Sequence, residues 1–129
     1  MGLLDNFFKG NSKTKKEEKK LPWQQLTQVG ELQKIKEASK EKLQVIFKHS
    51  TRCGISKSVI NRFVSDYDLN IDADLYYLDL LNYREVSNEV GHEFQVIHQS
   101  PQLILVKGGK VIHHASHHEI YANKVLEYI

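Results

Sequence analysis

A second cysteine is missing from this sequence. Cys53 is the only thiol in 129 residues, so no internal disulfide can form. No neighbouring thiol can resolve a mixed disulfide from within the chain either. With no secretory h-region after the start, a reducing cytoplasm is the expected compartment. Long apolar runs are also lacking. No window approaches the roughly 18 uninterrupted apolar residues that a membrane span needs, so no span is expected. Proline occurs only as Pro22 and Pro101, each where a strand is expected to begin and where no ladder bond is lost. A basic excess is lacking where it would matter. Residues 1–20 carry six lysines against Asp5, Glu17 and Glu18, a net +3, which leaves about −1 for the rest of a chain of net charge +2. A near-neutral domain does not track a phosphate backbone, so nucleic acid is not an expected partner.

The residues present sort into a Lys-rich tail and one domain. Leu3, Leu4, Phe7 and Phe8 share one side of a short helical turn, and "NSKTKKEEKK" reads as a flexible linker. The tail is placed at 1–20 and the domain at 21–129. "WQQLTQ" suits a short edge strand, "ELQKIKEASK" a helix, and "KLQVIFKH" a central strand that turns fully apolar. Ile55, Val59, Ile60, Phe63 and Val64 fall at helical spacing and predict one buried stripe. "DLYYLDLLNY" predicts a second central strand, and "REVSNEVGHEF" a short helix ending near Gly91. "PQLILVKGGKVIHHAS" predicts a hairpin turning at Gly108-Gly109. A last helix is expected with Ile120, Val125 and Leu126 on one face. The order β-α-β-α-β-α-β-β-α implies an α/β fold, a mixed central sheet with helices on both faces.

That order puts Cys53 where a strand hands over to a helix. Unpaired backbone N–H groups and the helix dipole there favour a thiolate. A lone cysteine is also a common core residue, but His49, Ser50, Thr51 and Arg52 make a polar surrounding. Lys48 and Arg52 are expected to add positive charge beside the sulfur. Ser56 is expected to donate a hydrogen bond to it from the same turn. Gly54 leaves room for a partner disulfide. Pro101 is expected near the start of the same helix. A cis Ser100–Pro101 bond would make a fixed corner and leave the Ser100 backbone free for an extended substrate; a trans proline at a strand entry is the commoner alternative. The expected catalytic positions are Cys53, Ser56 and Pro101, and the substrate-binding ones Arg52, Thr51, Gly54 and Ser100.

Other motifs carry less. "HHASHH" holds His113, His114, His117 and His118, with spacing that suits zinc, nickel or copper. However, His113 and His114 point to opposite faces of a strand, and Ser116 with Glu119 reads as a capping box for the last helix. No metal site is expected. "VKGGK" lacks the Ser or Thr and the helix of a phosphate loop. Trp23 reads as a packing residue, and Tyr76, Tyr77 and Tyr83 as filling and edging the sheet.

Residues 21–129 resemble the monothiol bacilliredoxins, the YtxJ-like proteins of the bacillithiol system. The segments that carry the likeness are "WQQLT", "FKHSTRCGIS", "YYLDLLNYREVSNEVG" and "QSPQLILVKGGKVIHHASH". The resemblance implies a thioredoxin-like fold and a thiol–disulfide oxidoreductase that removes bacillithiol from protein mixed disulfides. Bacillithiol would be a co-substrate, no cofactor would be tightly bound, and the partners would be S-bacillithiolated client proteins in the cytoplasm. It matches the family's nucleophile to Cys53, its cis-proline to Pro101 and the serine three after the nucleophile to Ser56. The family usually has proline directly after the cysteine, where this chain has Gly54. "CGIS" is also similar to the "CGFS" of monothiol glutaredoxins, which hold iron–sulfur clusters between two protomers and two glutathiones. Here Ile55 replaces the aromatic. The alternatives are therefore a cluster carrier or a non-catalytic module that binds a redox partner.

Overall fold

Strand β2 (Leu43–His49) is buried along its whole length, and the rest of the molecule is arranged around it. The computed structural model describes residues 19–129. The expected tail lies outside these residues except for Lys19 and Lys20, and Leu3, Leu4, Phe7 and Phe8 lie outside them altogether.

The elements follow in the expected order: β1 (Gln24–Gln25), α1 (Glu31–Ala38), β2, α2 (Gly54–Asp66), β3 (Ala73–Asp79), α3 (Arg84–Phe94), β4 (Gln102–Lys107), β5 (Lys110–Ser116), a 3₁₀ turn (His117–Glu119) and α4 (Asn123–Glu127). The five strands form one sheet in the order β1-β3-β2-β4-β5. β3 lies parallel to β1 and β2, whereas β4 runs antiparallel to both β2 and β5. The hairpin turns at Gly108 and Gly109, whose φ values of 65° and 84° suit a turn that needs left-handed backbone at both positions.

Because strand side chains alternate, β2 serves two cores. Val45 and Phe47 join Val59, Ile60 and Phe63 of α2, with Ile120 and Val125 near the C-terminus. Ile46 faces the other way, against Leu32 and Ile35 of α1 and Val86, Val90 and Phe94 of α3. Helices therefore cover both faces. Trp23 packs on the first core, its ring 6.1 Å from that of Phe63 and 5.9 Å from that of Tyr77.

Three sequence expectations are corrected. Helix α3 does not stop at Gly91 but runs on to the buried Phe94. Gln95, in left-handed conformation, ends it, and the chain folds back so closely that a Cβ on Gly91 would lie 3.0 Å from the Val96 carbonyl oxygen. The buried stripe of α2 does not begin at Ile55, which is 48% exposed. Ser56 takes the inward position of that turn, and Ser56, Val59, Ile60 and Phe63 form the buried face. The final helix does not start at a Ser116 cap. Ser116 ends β5, makes no side-chain cap bond and leads into the 3₁₀ turn, while Leu126 of α4 is left half exposed.

No helix among the described residues is long and apolar enough to cross a membrane. Lys19 donates to the backbone oxygens of Ser65 and Tyr67, which ties the start of the described chain to the end of α2.

Lys48 is the exception in the strand. It lies fully buried between Leu78 of β3 and Gln102 of β4, and burial pushes its ammonium down from 10.5 to about 8. The folded protein thus gives up this proton before the unfolded chain does, so the group's contribution to stability rises as pH climbs through that interval. Between about pH 7 and pH 9.5 the wild type is expected to gain roughly 1–2 kcal/mol relative to Lys48→Met, measured by urea unfolding. A constant difference between the two proteins would contradict the buried charge.

Candidate active site

The corner between β2 and α2 is built from backbone first. Cys53 is the N-cap of α2, in extended conformation (φ −104°, ψ 124°). Its N–H donates to the Ser50 carbonyl at 3.2 Å, and its carbonyl accepts the Lys57 N–H at 3.0 Å. The half-buried thiol therefore sits at the positive end of a helix of 13 residues. Thr51 and Arg52 form the exposed turn before it, and Gly54 and Ile55 are exposed after it. A Cβ on Gly54 would meet nothing within 4 Å, so space beside the thiol is open.

Ser56 does not bond to the sulfur as expected. It is fully buried, and its Oγ accepts the Ser50 N–H at 3.0 Å and lies 2.7 Å from His49 Nδ1. Among the described residues that nitrogen is the only acceptor for the hydroxyl, so Ser56 donates to Nδ1 and the His49 proton resides on Nε2. Burial holds His49 below the ordinary histidine range. Asp79 pulls the other way, and Lys57 adds to the depression. That downward shift agrees with a neutral ring that accepts at Nδ1. Sequence reasoning treated His49 only as a polar neighbour. The available signal was period two, since Val45, Phe47 and His49 share one strand face.

The same alternation removes Lys48 from the thiol. It points to the opposite face, where its Nζ lies 3.3 Å from the Ser87 carbonyl oxygen and 3.1 Å from His98 Nδ1. Lys48 therefore does not supply the charge expected beside Cys53.

Pro101 lies directly before β4, buried, and the Ser100–Pro101 bond is cis. In the β2–β4 register Lys48 stands opposite Gln102. One further antiparallel step brings Pro101 alongside His49, at the end of the sheet from which the chain proceeds to Cys53. Ser100 is half-buried, with a buried Oγ that has no partner among the described residues. A cavity of about 670 Å³ lies elsewhere, lined by Lys19, Leu21, Trp23, Asn61 and Val64 among others, and includes none of these site residues.

The histidine cluster is dispersed. His113 stacks on Tyr128 with ring centroids 5.3 Å apart, and His114, His117 and His118 are exposed. No group of three or more His, Cys, Asp or Glu that could hold a metal ion occurs among the described residues.

The family model described as monothiol bacilliredoxin BrxC matches residues 24–125. Among solved structures, a protein with a thioredoxin fold superposes with a TM-score of 0.68 at 24% identity, covering 80% of this chain and 89% of that one. Thioredoxin from Schistosoma mansoni gives 0.61 at 25% identity, covering 83% and 92%. Thioredoxin from Malassezia sympodialis gives 0.63 at 19%, covering 86% and 90%. The fold is thioredoxin-like.

Two substitutions test the corner. Ser56→Ala leaves the Ser50 N–H and His49 Nδ1 without their partner and is expected to cost about 1–3 kcal/mol in urea unfolding. Gly54→Pro is expected to raise stability by about 0.4–1 kcal/mol in the same assay. Cys53 already has the extended backbone that must precede proline, and a first-turn N–H has no helical acceptor.

Proposed function

The chain belongs to the monothiol bacilliredoxin family and is a thiol–disulfide oxidoreductase, and we propose that Cys53 removes bacillithiol from client proteins. The observation that carries this reading is the position of the only cysteine, at the N-cap of α2 with open space at Gly54.

In the first step the Cys53 thiolate attacks the bacillithiol sulfur of a capped client. A new S–S bond forms on Cys53, the old one breaks, and the client cysteine leaves as a thiolate that takes up a proton. In the second step a thiolate of free bacillithiol attacks the bacillithiol sulfur held on Cys53. Cys53 is released, and bacillithiol disulfide carries away the oxidising equivalent. An external thiol is required because Cys53 has no partner cysteine.

Pro101 and Ser100 are assigned to the substrate-facing turn, and Arg52 and Thr51 to the exposed rim beside the thiol. Ser56 is assigned to holding the corner through His49, so its removal slows exchange without abolishing it. The domain is taken as 21–129. Exchange of this kind belongs in a reducing compartment, and we assign it to the cytoplasm.

Intact mass after mixing with bacillithiol disulfide tests the assignment. One adduct is expected, on Cys53, removable by free thiol and absent from Cys53→Ala. No adduct on the wild type, turnover by Cys53→Ala, or a brown dimer containing iron would overturn it.

A further inference from the structure

We propose that Lys48 is a positioning residue for the exchange site, tying the segment that leads into the Ser100–Pro101 turn to helix α3 through His98. The proposal rests on the reading of Cys53 given above.

Lys48 sits on the face of β2 that it shares with Gln44 and Ile46, against the core formed with Leu78, Val86, Val90 and Ile104. An ammonium in such a place is costly unless it is paired. No carboxylate lies within ion-pair distance of it among the described residues. Its hydrogen bonds reach Ser87 of α3 through the backbone carbonyl, and Nδ1 of His98. Lysine only donates, so His98 must accept at Nδ1 and carry its own proton on Nε2. Burial first, then the nearby Lys48 and Arg84 charges, hold His98 below its ordinary range, which keeps that acceptor available.

The tie matters because of where His98 stands. It precedes Ser100 by two residues, in a stretch between α3 and β4 that is anchored in the core at its start by Val96 but carries Ile97, 83% exposed, directly before His98. Polar bonds supplement that anchor and hold the rest of the stretch. Val96 N–H donates to the Gly91 carbonyl at its start. Near its end the Gln102 side chain donates to the Ile97 carbonyl and accepts the Gln99 N–H. Lys48 provides the hydrogen-bonded attachment between these two, and its side chain reaches both the stretch and α3 from the central strand. Losing it frees the chain just before the turn assigned to substrate.

The test measures kcat/KM for removing bacillithiol from a capped client protein in wild type, Lys48→Met, His98→Ala, His98→Asn and the Lys48→Met/His98→Ala double variant. Alkylation of Cys53 by iodoacetamide is followed alongside. Lys48→Met and His98→Ala are each expected to lose on the order of tenfold, and the double variant no more than the worse single one. His98→Asn, whose Oδ1 can replace Nδ1 as acceptor, is expected to stay near wild type, and alkylation is expected to be unchanged throughout. Independent, multiplying losses would overturn the proposal. So would an active Lys48→Met, or a His98→Asn as weak as His98→Ala. His98 is at the surface, so its variants decide the matter even if Lys48→Met does not fold. A wild type that alkylates normally yet removes no cap would instead overturn the exchange reading. In that case the ¹⁵N shifts of the His98 ring, expected to report Nε2–H in wild type and to change in Lys48→Met, still decide the tie.

Discussion

The hydrogen bond between Ser56 and His49 is the constraint on which the geometry of this site rests. It joins the last residue of the central strand to the first inward position of the helix that follows, and the Ser50 N–H closes the same corner. With those three groups satisfied, the chain between them has little choice. Thr51 and Arg52 must turn outward, and Cys53 must cap the helix. The thiol's place is thus set by polar groups buried beneath it rather than by contacts of its own. A serine three residues after a nucleophile would, in a dithiol relative, be replaced by a resolving sulfur. Here it does structural work, and the chemistry must be completed by a thiol from outside.

The strand that ends at this corner does two different jobs on its two faces. His49 looks toward α2 and stabilises the thiol's surroundings. Lys48, one residue earlier, looks toward α3 and reaches the stretch before Pro101. Adjacent residues on a central strand thereby reach two different segments, the helix start and the stretch before the proline turn. Both rely on neutral histidine rings accepting at Nδ1, one from a hydroxyl and the other from an ammonium. Polar groups this deep in a small core are tolerated because each finds a partner.

Much of this was legible beforehand, for identifiable reasons. The element order followed from period: the apolar run at Val45–Phe47, the helical spacing of Val59, Ile60 and Phe63, and the Gly108-Gly109 turn between two apolar strands. The corner at Cys53 followed from that order, and the family segments pointed to the same residue. One cause of the misses is that apolar pattern says nothing about polar residues that go inside. Ile55 was favoured over Ser56 as the inward residue of the first turn because isoleucine is the apolar one. Lys48 was placed beside Cys53 by proximity in sequence, although alternation sends it to the other face. Gly91 looked like a stop signal, but it admits the close return of Val96 while Phe94 carries the helix onward into the core. At the C-terminus, Ser116 and Glu119 match a capping box in sequence, yet Ser116 is committed to strand pairing with Gln102.

The placement of Trp23 has a practical consequence. Its indole stacks on Phe63, which belongs to the helix that Cys53 caps, and it meets Tyr77 edge-on. The Tyr77 ring in turn lies 5.7 Å from that of His49. The sole tryptophan is therefore in van der Waals continuity with the corner that holds the thiol. The protein thus carries a built-in optical probe, whose emission is expected to respond to rearrangement at that end of the sheet without any attached dye.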